Sequence, residues 1–365
     1  MNKLDIAREK INQIDKKMAE LFCERMRAAE EVADYKKEKG LPIFDGNREE
    51  AIIQNNASYI DNEVYKSYYT VFQRNTMKIS RDYQNKILNG MRIAYSGVEG
   101  AFAHIAAGKI FESGSRIAYP NFSTAYNAVV SGDCDCVVLP IENSNAGEVG
   151  QVIDLIFAGS LFVNGVYELS VSQNLLGLPD AQLSDITHVI SHIQALEQCN
   201  DYIKKHGYTI ETSDNTALAA QKVAKMNDKR YAAIASNETA ELYGLKILAN
   251  SINESQTNTT RFAVLSRSQH IKVIDKADNH SIIMFTVKHE ANSLTKALEV
   301  IGSHGVNMRS LRSRSRKDLL WKYYFYVEIE GNVNTYNGKV MLKELSKCCD
   351  KLKVAGSFYN NVELK

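Results

Sequence analysis

Leu4, Ala7, Ile11, Ile14, Met18, Leu21, Arg25, Ala28, Val32 and Tyr35 succeed one another by alternating steps of three and four residues. Such a seam keeps one stripe on the same side of a helix turn after turn, which no strand pattern reproduces. Sustained over this length, it requires a long helix packed against other helices. Gly40 followed by Pro42 stops it in the order expected of a helix C-terminus. A short helix is expected from about Asn47 and a third from about Asp61 to Lys86, with Asn89-Gly90 as closing punctuation. Residues 1–88 are read as an all-helical domain.

The period then changes. Between residues 91 and 270, short apolar runs at Arg92–Tyr95, Cys136–Leu139, Ile186–Ile190, Tyr231–Ala235 and Phe262–Leu265 alternate with helical stretches. That alternation predicts an α/β region with parallel strands, as one large sheet or as two lobes around a cleft. Ser266–Asn279 is polar and reads as a linker. From Ser281 the order is strand (Ile282–Lys288), helix (Ser293–His304), strand (Asn307–Arg314), strand (Trp321–Glu330), helix (Tyr336–Cys348) and strand (Leu352–Tyr359). This βαββαβ succession over residues 280–365 is the ferredoxin-like split motif, an α+β fold.

Lys plus Arg number 44 against 43 Asp plus Glu, so the chain offers no electrostatic case for nucleic acid or an anionic membrane. It lacks the long apolar run of a membrane span, and its first residues, MNKLDIAREKINQ, lack the apolar core of a signal peptide. Six cysteines in so long a chain are not a disulfide framework, and neither Cys134-Asp-Cys136 nor Cys348-Cys349 has zinc-site spacing. All six are read as reduced thiols. The composition is that of a cytoplasmic multidomain enzyme.

Arg25 stands where the seam otherwise takes apolar residues or alanine, and a guanidinium on such a stripe asks for an anionic partner. Lys36, 11 residues further on, lies about 20° around the helix and roughly 16 Å along it, so both side chains can converge on one small anion. Arg8 precedes Arg25 by 17 residues, roughly 25 Å along the same axis. One small ligand cannot touch both from a single copy, so a functional Arg8 implies a second copy. Asp45, Arg48 and Glu49 cluster at the start of the second helix, and Ser80 and Gln84 share a face of the third.

Together, Arg8-Glu-Lys-Ile, Arg25, Lys36, Asp45, Arg48-Glu49 and Ser80-x-x-x-Gln84 resemble the all-helical chorismate mutases across residues 4–86. The resemblance implies chorismate as substrate, no metal or cofactor, and a homodimer or higher homo-oligomer in which Arg8 enters the neighbouring site. The rearrangement of chorismate is pericyclic. It needs two carboxylates held in a compact conformer and donors at the ether oxygen, where charge grows as the C–O bond breaks. Arg8, Arg25 and Arg48 suit the carboxylates, Lys36 and Gln84 the ether oxygen, and Glu49 the hydroxyl, with Asp45 and Ser80 beside them.

In open α/β sheets, ligands sit beyond strand carboxyl ends, near helix N-termini. Ser96-Gly97-Val98-Glu99-Gly100 follows the first strand but lacks the first glycine of the dinucleotide fingerprint, which excludes NAD. Pro140-Ile141-Glu142-Asn143-Ser144, Gln194-Ala195, Asn215-Thr216, Asn237-Glu-Thr-Ala-Glu-Leu-Tyr-Gly244 and Thr260-Arg261-Phe262 resemble prephenate dehydratases along residues 91–270. The resemblance implies two α/β lobes with the site in their cleft, prephenate as substrate, and Glu142, Asn143, Ser144, Gln194, Asn215, Thr216, Arg261 and Phe262 as its binding residues. The reaction expels CO2 and the ring hydroxyl together, so a donor to the departing hydroxyl is the main catalytic requirement, and Thr260 is the candidate. The family's Gly-Pro-Glu-Gly-Thr-Phe-Ser reads Gly97-Val-Glu-Gly-Ala-Phe-Ala103 here, without hydroxyls at Ala101 and Ala103.

Residues 280–365 resemble the ACT domain, an amino-acid-sensing module. That resemblance implies L-phenylalanine as effector, with Asn292, Ser293, Leu294, Asn307, Ser313 and Arg314 around it, in altered forms of the family's Gly-Ala-Leu and Glu-Ser-Arg-Pro motifs. The order of the three regions is that of bifunctional chorismate mutase/prephenate dehydratases, which carry chorismate to phenylpyruvate. The alternatives are a mutase fused to a non-catalytic phenylalanine sensor, and a dehydratase that prefers arogenate.

Overall fold

Asn2 and Asp5 exchange side-chain-to-backbone hydrogen bonds and so start the first helix, α1 (Lys3–Lys39), which ends where Gly40 turns left-handed at φ +64°. In this computed structural model, which describes residues 2–255, 257–269, 279–315, 323–359 and 362–364, the chain forms two units, Met1–Arg92 and Ile93–Lys365. The first unit adds α2 (Gly46–Ala57), capped by Asp45, and α3 (Glu63–Asn89), capped by Asn62. Only the second half of α1 is covered within the chain, through Ala29 and Ala33. Leu4, Ile11, Ile14, Met18 and Leu21 lie exposed, Leu21 by 62%. The seam expected to pack along its length is open in one copy at every position but the half-buried Arg25, Val32 and Tyr35 included, and the buried Ala29 and Ala33 lie one residue off it.

In the second unit the chain builds β1 (Arg92–Ser96), α4 (Phe102–Ile110), β2 (Ser115–Tyr119), α5 (Phe122–Ser131), β3 (Cys136–Asn143), β4 (Gly147–Glu148), α6 (Gly150–Ala158) and β5 (Phe162–Ser170). It then crosses to β6 (Asn174–Gly177), β7 (His188–Ser191), α7 (Ile193–Gln198), α8 (Asn200–His206), β8 (Thr209–Thr212), α9 (Thr216–Met226), β9 (Tyr231–Ala235), α10 (Asn237–Tyr243) and β10 (Lys246–Ala249). It returns as β11 (Thr259–Ser266), which inserts between β3 and β5. Two sheets result, so the choice left open by periodicity falls to two lobes. The strands are not all parallel as expected: β11 runs antiparallel to both its neighbours, because it comes back from the second lobe. Parallel pairing survives in β1/β3, β7/β8 and β7/β9.

The C-terminal segment is β12 (Asn279–Thr286), α11 (Ser293–Ser303), β13 (Met308–Ser315), β14 (Tyr323–Glu330), α12 (Tyr336–Cys348) and β15 (Lys351–Tyr359), with four antiparallel strands in the order β13-β14-β12-β15. The expected βαββαβ order is the observed one. Trp321 and most of the expected linker lie outside the described residues, as do Arg316 and Lys317, which in the sequence extend the basic stripe of Arg309, Arg312 and Arg314. This module shares a core with the first lobe: Ile282, Met284, Tyr326 and Ala355 pack with Ile156 and Val163, and Tyr324 stacks on Phe157 at 4.1 Å. Gly356 is what lets β15 approach β5 so closely, since a Cβ there would lie 1.9 Å from the Val163 carbonyl oxygen. A last strand, β16 (Val362–Leu364), adds in parallel to β5. Among the described residues no helix is long and apolar enough to cross a membrane, no His, Cys, Asp and Glu cluster could hold a metal, and the six cysteines are free thiols.

Candidate active sites

In the helical unit, α1, the turn after it, α2 and α3 enclose a cavity of about 900 Å³. Arg25, Lys36, Asp45, Arg48, Glu49, Ser80 and Gln84 all line it. Arg25 donates to the Ser80 hydroxyl, and Lys36 Nζ donates to the Ile43 carbonyl at 2.5 Å. Burial pulls the Arg25 guanidinium below its ordinary pKa, opposed by the charge of Glu49. Asp45 spends one oxygen capping α2 through Arg48 N–H at 3.1 Å. Gln84 is buried, and its Oε1 has no protein partner. Arg8 is exposed on the first turns of α1 and lines no part of this cavity. The structure adds Arg81, which pairs with Glu49 and lies over the Phe44 ring at 5.2 Å. Its signal was its spacing: Met77, Ser80, Arg81 and Gln84 share one helix face.

In the second unit a cleft of about 570 Å³ lies between the lobes. Helix N-termini border it: Ala101 and Phe102 begin α4, Val149 and Gly150 begin α6, His192 and Gln194 begin α7, and Asn215 and Thr216 begin α9. The starts of α4 and α6 have no side-chain cap, so their first N–H groups stay open toward an anion. Ala101 without its hydroxyl leaves that end uncapped, and Ala103 is buried within α4. Asn143 and Thr260 face the cleft as a cross-strand pair, with Asn143 Nδ2 donating to Thr260 Oγ1 at 2.9 Å.

Four expected contacts do not line the cleft. Glu142 and Arg261 are the next cross-strand pair, and the pleat turns them to the other face, 3.2 Å from each other. Phe262 is buried in the core, and Ser144 ties the loops together by donating to the Thr257 carbonyl and accepting from Thr259 N–H. On that other face the C-terminal module answers them. Glu328, wholly buried on β14, accepts from both terminal nitrogens of Arg261, at 2.9 and 2.8 Å, and contacts His280 Nδ1 at 3.1 Å. Arg312 on β13 pairs with Glu142, and Arg314 pairs with Glu148 and with Asp154 at 3.1 Å. The basic stripe of β13 is therefore partly internal, alternate arginines gripping the first lobe.

Burial alone would raise the Glu328 carboxyl, but hydrogen bonds from His280 and Arg261 and the charges of Arg261 and Arg309 outweigh it and hold it at about 2. Its stabilisation is thus present above the ordinary glutamate range and lost as pH falls toward 2. Glu328→Gln should cost ~3 kcal/mol in urea unfolding at neutral pH, as expected for breaking a buried pair, and the gap from the parent should narrow below about pH 4.5. A loss under ~1 kcal/mol would show that Arg261 is held by other groups.

Of the expected effector residues, Asn292, Ser293 and Leu294 meet at the start of α11, where Asn292 takes φ +65° in place of the expected glycine. Ser313 is exposed on β13, Asn307 precedes the opposite end of that strand, and Arg314 is turned toward the first lobe. In one chain these six do not form one site. The alternating pleat sends Arg314 away from Ser313.

A prephenate dehydratase family profile matches residues 93–270, and a type II chorismate mutase profile matches residues 7–85. A bifunctional chorismate mutase/prephenate dehydratase of Enterobacter agglomerans is 31% identical over 98% of this chain and 96% of its own length. The chain belongs to this bifunctional family. Among solved structures, a prephenate dehydratase of Staphylococcus aureus matches 73% of the chain and 100% of its own at 26% identity and a TM-score of 0.64. A prephenate dehydratase of Arthrobacter aurescens, in complex with L-Phe, shares the fold over 74% of this chain and 90% of its own, at 24% identity and a TM-score of 0.68. Like its bifunctional relatives, the chain carries both activities, chorismate mutase and prephenate dehydratase, on the way to phenylalanine.

Proposed function

We propose that the two reactions run in the two cavities described, within a mutase domain of residues 1–88 and a dehydratase domain of residues 91–270. In the mutase cavity Arg25 and Arg48 bind carboxylates, Lys36 and Gln84 serve the ether oxygen, and Glu49, held by Arg81, takes the hydroxyl. A second copy completes that cavity with Arg8. The open apolar seam from Leu4 to Leu21 on the same helix supports it, being a coiled-coil face with nothing over it in one chain. Mixing Arg8→Ala with Arg25→Ala chains should then restore part of the mutase activity, because one site of a mixed dimer collects both lesions and the other none. Mixed dimers without recovered activity would place Arg8 outside the site.

In the dehydratase cleft, the ring C–CO2⁻ bond breaks, its electrons complete the aromatic ring, and the ring hydroxyl departs as water after taking one proton. The observation that carries the reading is the bond from Asn143 to Thr260. Thr260 Oγ1 already accepts a hydrogen, so its own hydrogen is available to the leaving hydroxyl. Uncapped helix N-termini suit the two carboxylates of prephenate. Gln194, Asn215 and Thr216 line the side of the cleft that belongs to the second lobe.

Residues 280–365 act as an ACT domain that senses L-phenylalanine, the ligand of the Arthrobacter relative. The arginines of β13 give it a hold on the catalytic lobe, since Glu148 both lines the cleft and pairs with Arg314. Calorimetric titration with L-phenylalanine, read beside prephenate turnover, tests this: saturable heat with altered turnover supports it, and no heat contradicts it.

A further inference from the structure

Asn143 makes an Asx turn: its Oδ1 accepts N–H from Asn145 at 3.0 Å and Ala146 at 2.9 Å. That turn leaves the amide no freedom to flip, because the reversed group would set its NH2 against two donors. Nδ2 must therefore face the other way, where it meets Thr260 Oγ1 at 2.9 Å and Asn258 Oδ1 at 2.8 Å. Asn258, only 1% exposed, is fixed in its turn: its oxygen faces Asn143, so its Nδ2 faces Gln198 and donates to Oε1 at 3.0 Å. Gln198 ends α7 in the second lobe, Asn258 lies on the segment returning from that lobe, and Asn143 and Thr260 belong to the first. Asn258 and Gln198 also line the cleft.

We propose that these three amides form a relay of single polarity across the two lobes, and that it aims the Thr260 hydroxyl hydrogen into the cleft. Asn143, Asn258 and Gln198 are positioning residues in this reading, acting through Thr260. Both side-chain polar atoms of Asn143 are used within the protein, so its amide is given no substrate group to bind. The inference rests on Thr260 being the donor, and it adds that catalytic alignment depends on how the second lobe sits against the first.

The test exploits the fact that one isosteric change, Asn→Asp, has opposite meanings at neighbouring links. Asn143→Asp keeps the acceptor that makes the Asx turn but replaces the NH2 facing Thr260 by an oxygen, which draws the threonine hydrogen to itself and away from substrate. Its kcat for prephenate should fall at least ~10²-fold per folded chain, the lower end of general-acid assistance, beside a lower melting temperature from the oxygen now set against Asn258 Oδ1. Asn258→Leu removes the middle link and should lower kcat about tenfold, an alignment loss well short of that limit. Asn258→Asp restores the oxygen that Asn143 needs and should recover most of that loss in kcat, while the added charge near a dianionic substrate raises KM. Thr260→Ala is measured in parallel. If it loses activity while Asn143→Asp keeps kcat within about threefold, the relay is wrong and the donor stands. Equal losses in Asn258→Asp and Asn258→Leu likewise overturn the relay. A Thr260→Ala chain with parental kcat removes the donor itself.

Discussion

Replacing Thr260 by alanine is expected to lower prephenate turnover by ~10²–10⁴ while chorismate consumption stays at the parental rate. The hydroxyl sits in the cleft wall, accepts from Asn143 at 2.9 Å and has its own hydrogen to give, whereas the leaving hydroxyl is a poor group without a donor. Thr260→Ser should keep a measurable part of the activity, because serine preserves the donor and loses only the β-methyl that restrains its rotation. A purely structural threonine at the start of β11 gives the opposite pattern: a lower melting temperature with parental turnover per folded chain. Melting temperature measured beside kcat separates the two.

The second large effect is expected in the helical unit. Arg25→Ala or Lys36→Ala should lower mutase activity by ~10²–10³, the cost of one donor that stabilises developing charge, and leave prephenate turnover near the parental value. Both side chains line one cavity from a single stripe of α1, and Arg25 is a half-buried cation joined to α3 through Ser80. Chorismate consumption measured at saturation checks this, and a variant that keeps more than about a third of it would contradict the roles given to that residue.

Much of this was legible in the residues because it is local. The seam of α1, the stop at Gly40 and the βαββαβ order all depend on neighbours within a few turns. The mutase cluster is not local, since Arg25 meets Ser80 across 55 residues, and its members were brought together by the resemblance to chorismate mutases. Other long-range facts were not legible. Nothing near Thr260 announces that β11 returns antiparallel between β3 and β5, which inverts the expected parallel order. The strand β5 was missed because Asn164 and Gly165 interrupt its apolar run, yet it pairs with β11 on one side and β16 on the other.

Glu142 and Arg261 show how a motif misleads. The residues sit in the right strands, but alternation puts every second side chain on the far face, where a module more than fifty residues downstream supplies Glu328 and Arg312. Asn258 carried a signal of the same kind that went unread: two residues before Thr260 in extended chain, it shares Thr260's face. Gln198 carried none, being an ordinary polar residue at the end of a short helix.

Following chorismate, prephenate and phenylpyruvate together in three purified chains, the parent, Arg25→Ala and Thr260→Ala, tests the two-site account most directly. Given chorismate, the parent should release phenylpyruvate, Thr260→Ala should accumulate prephenate, and Arg25→Ala should leave chorismate unconsumed yet still convert added prephenate. Phenylpyruvate released from prephenate by Thr260→Ala at the parental rate per folded chain, or loss of prephenate turnover in Arg25→Ala, would contradict it.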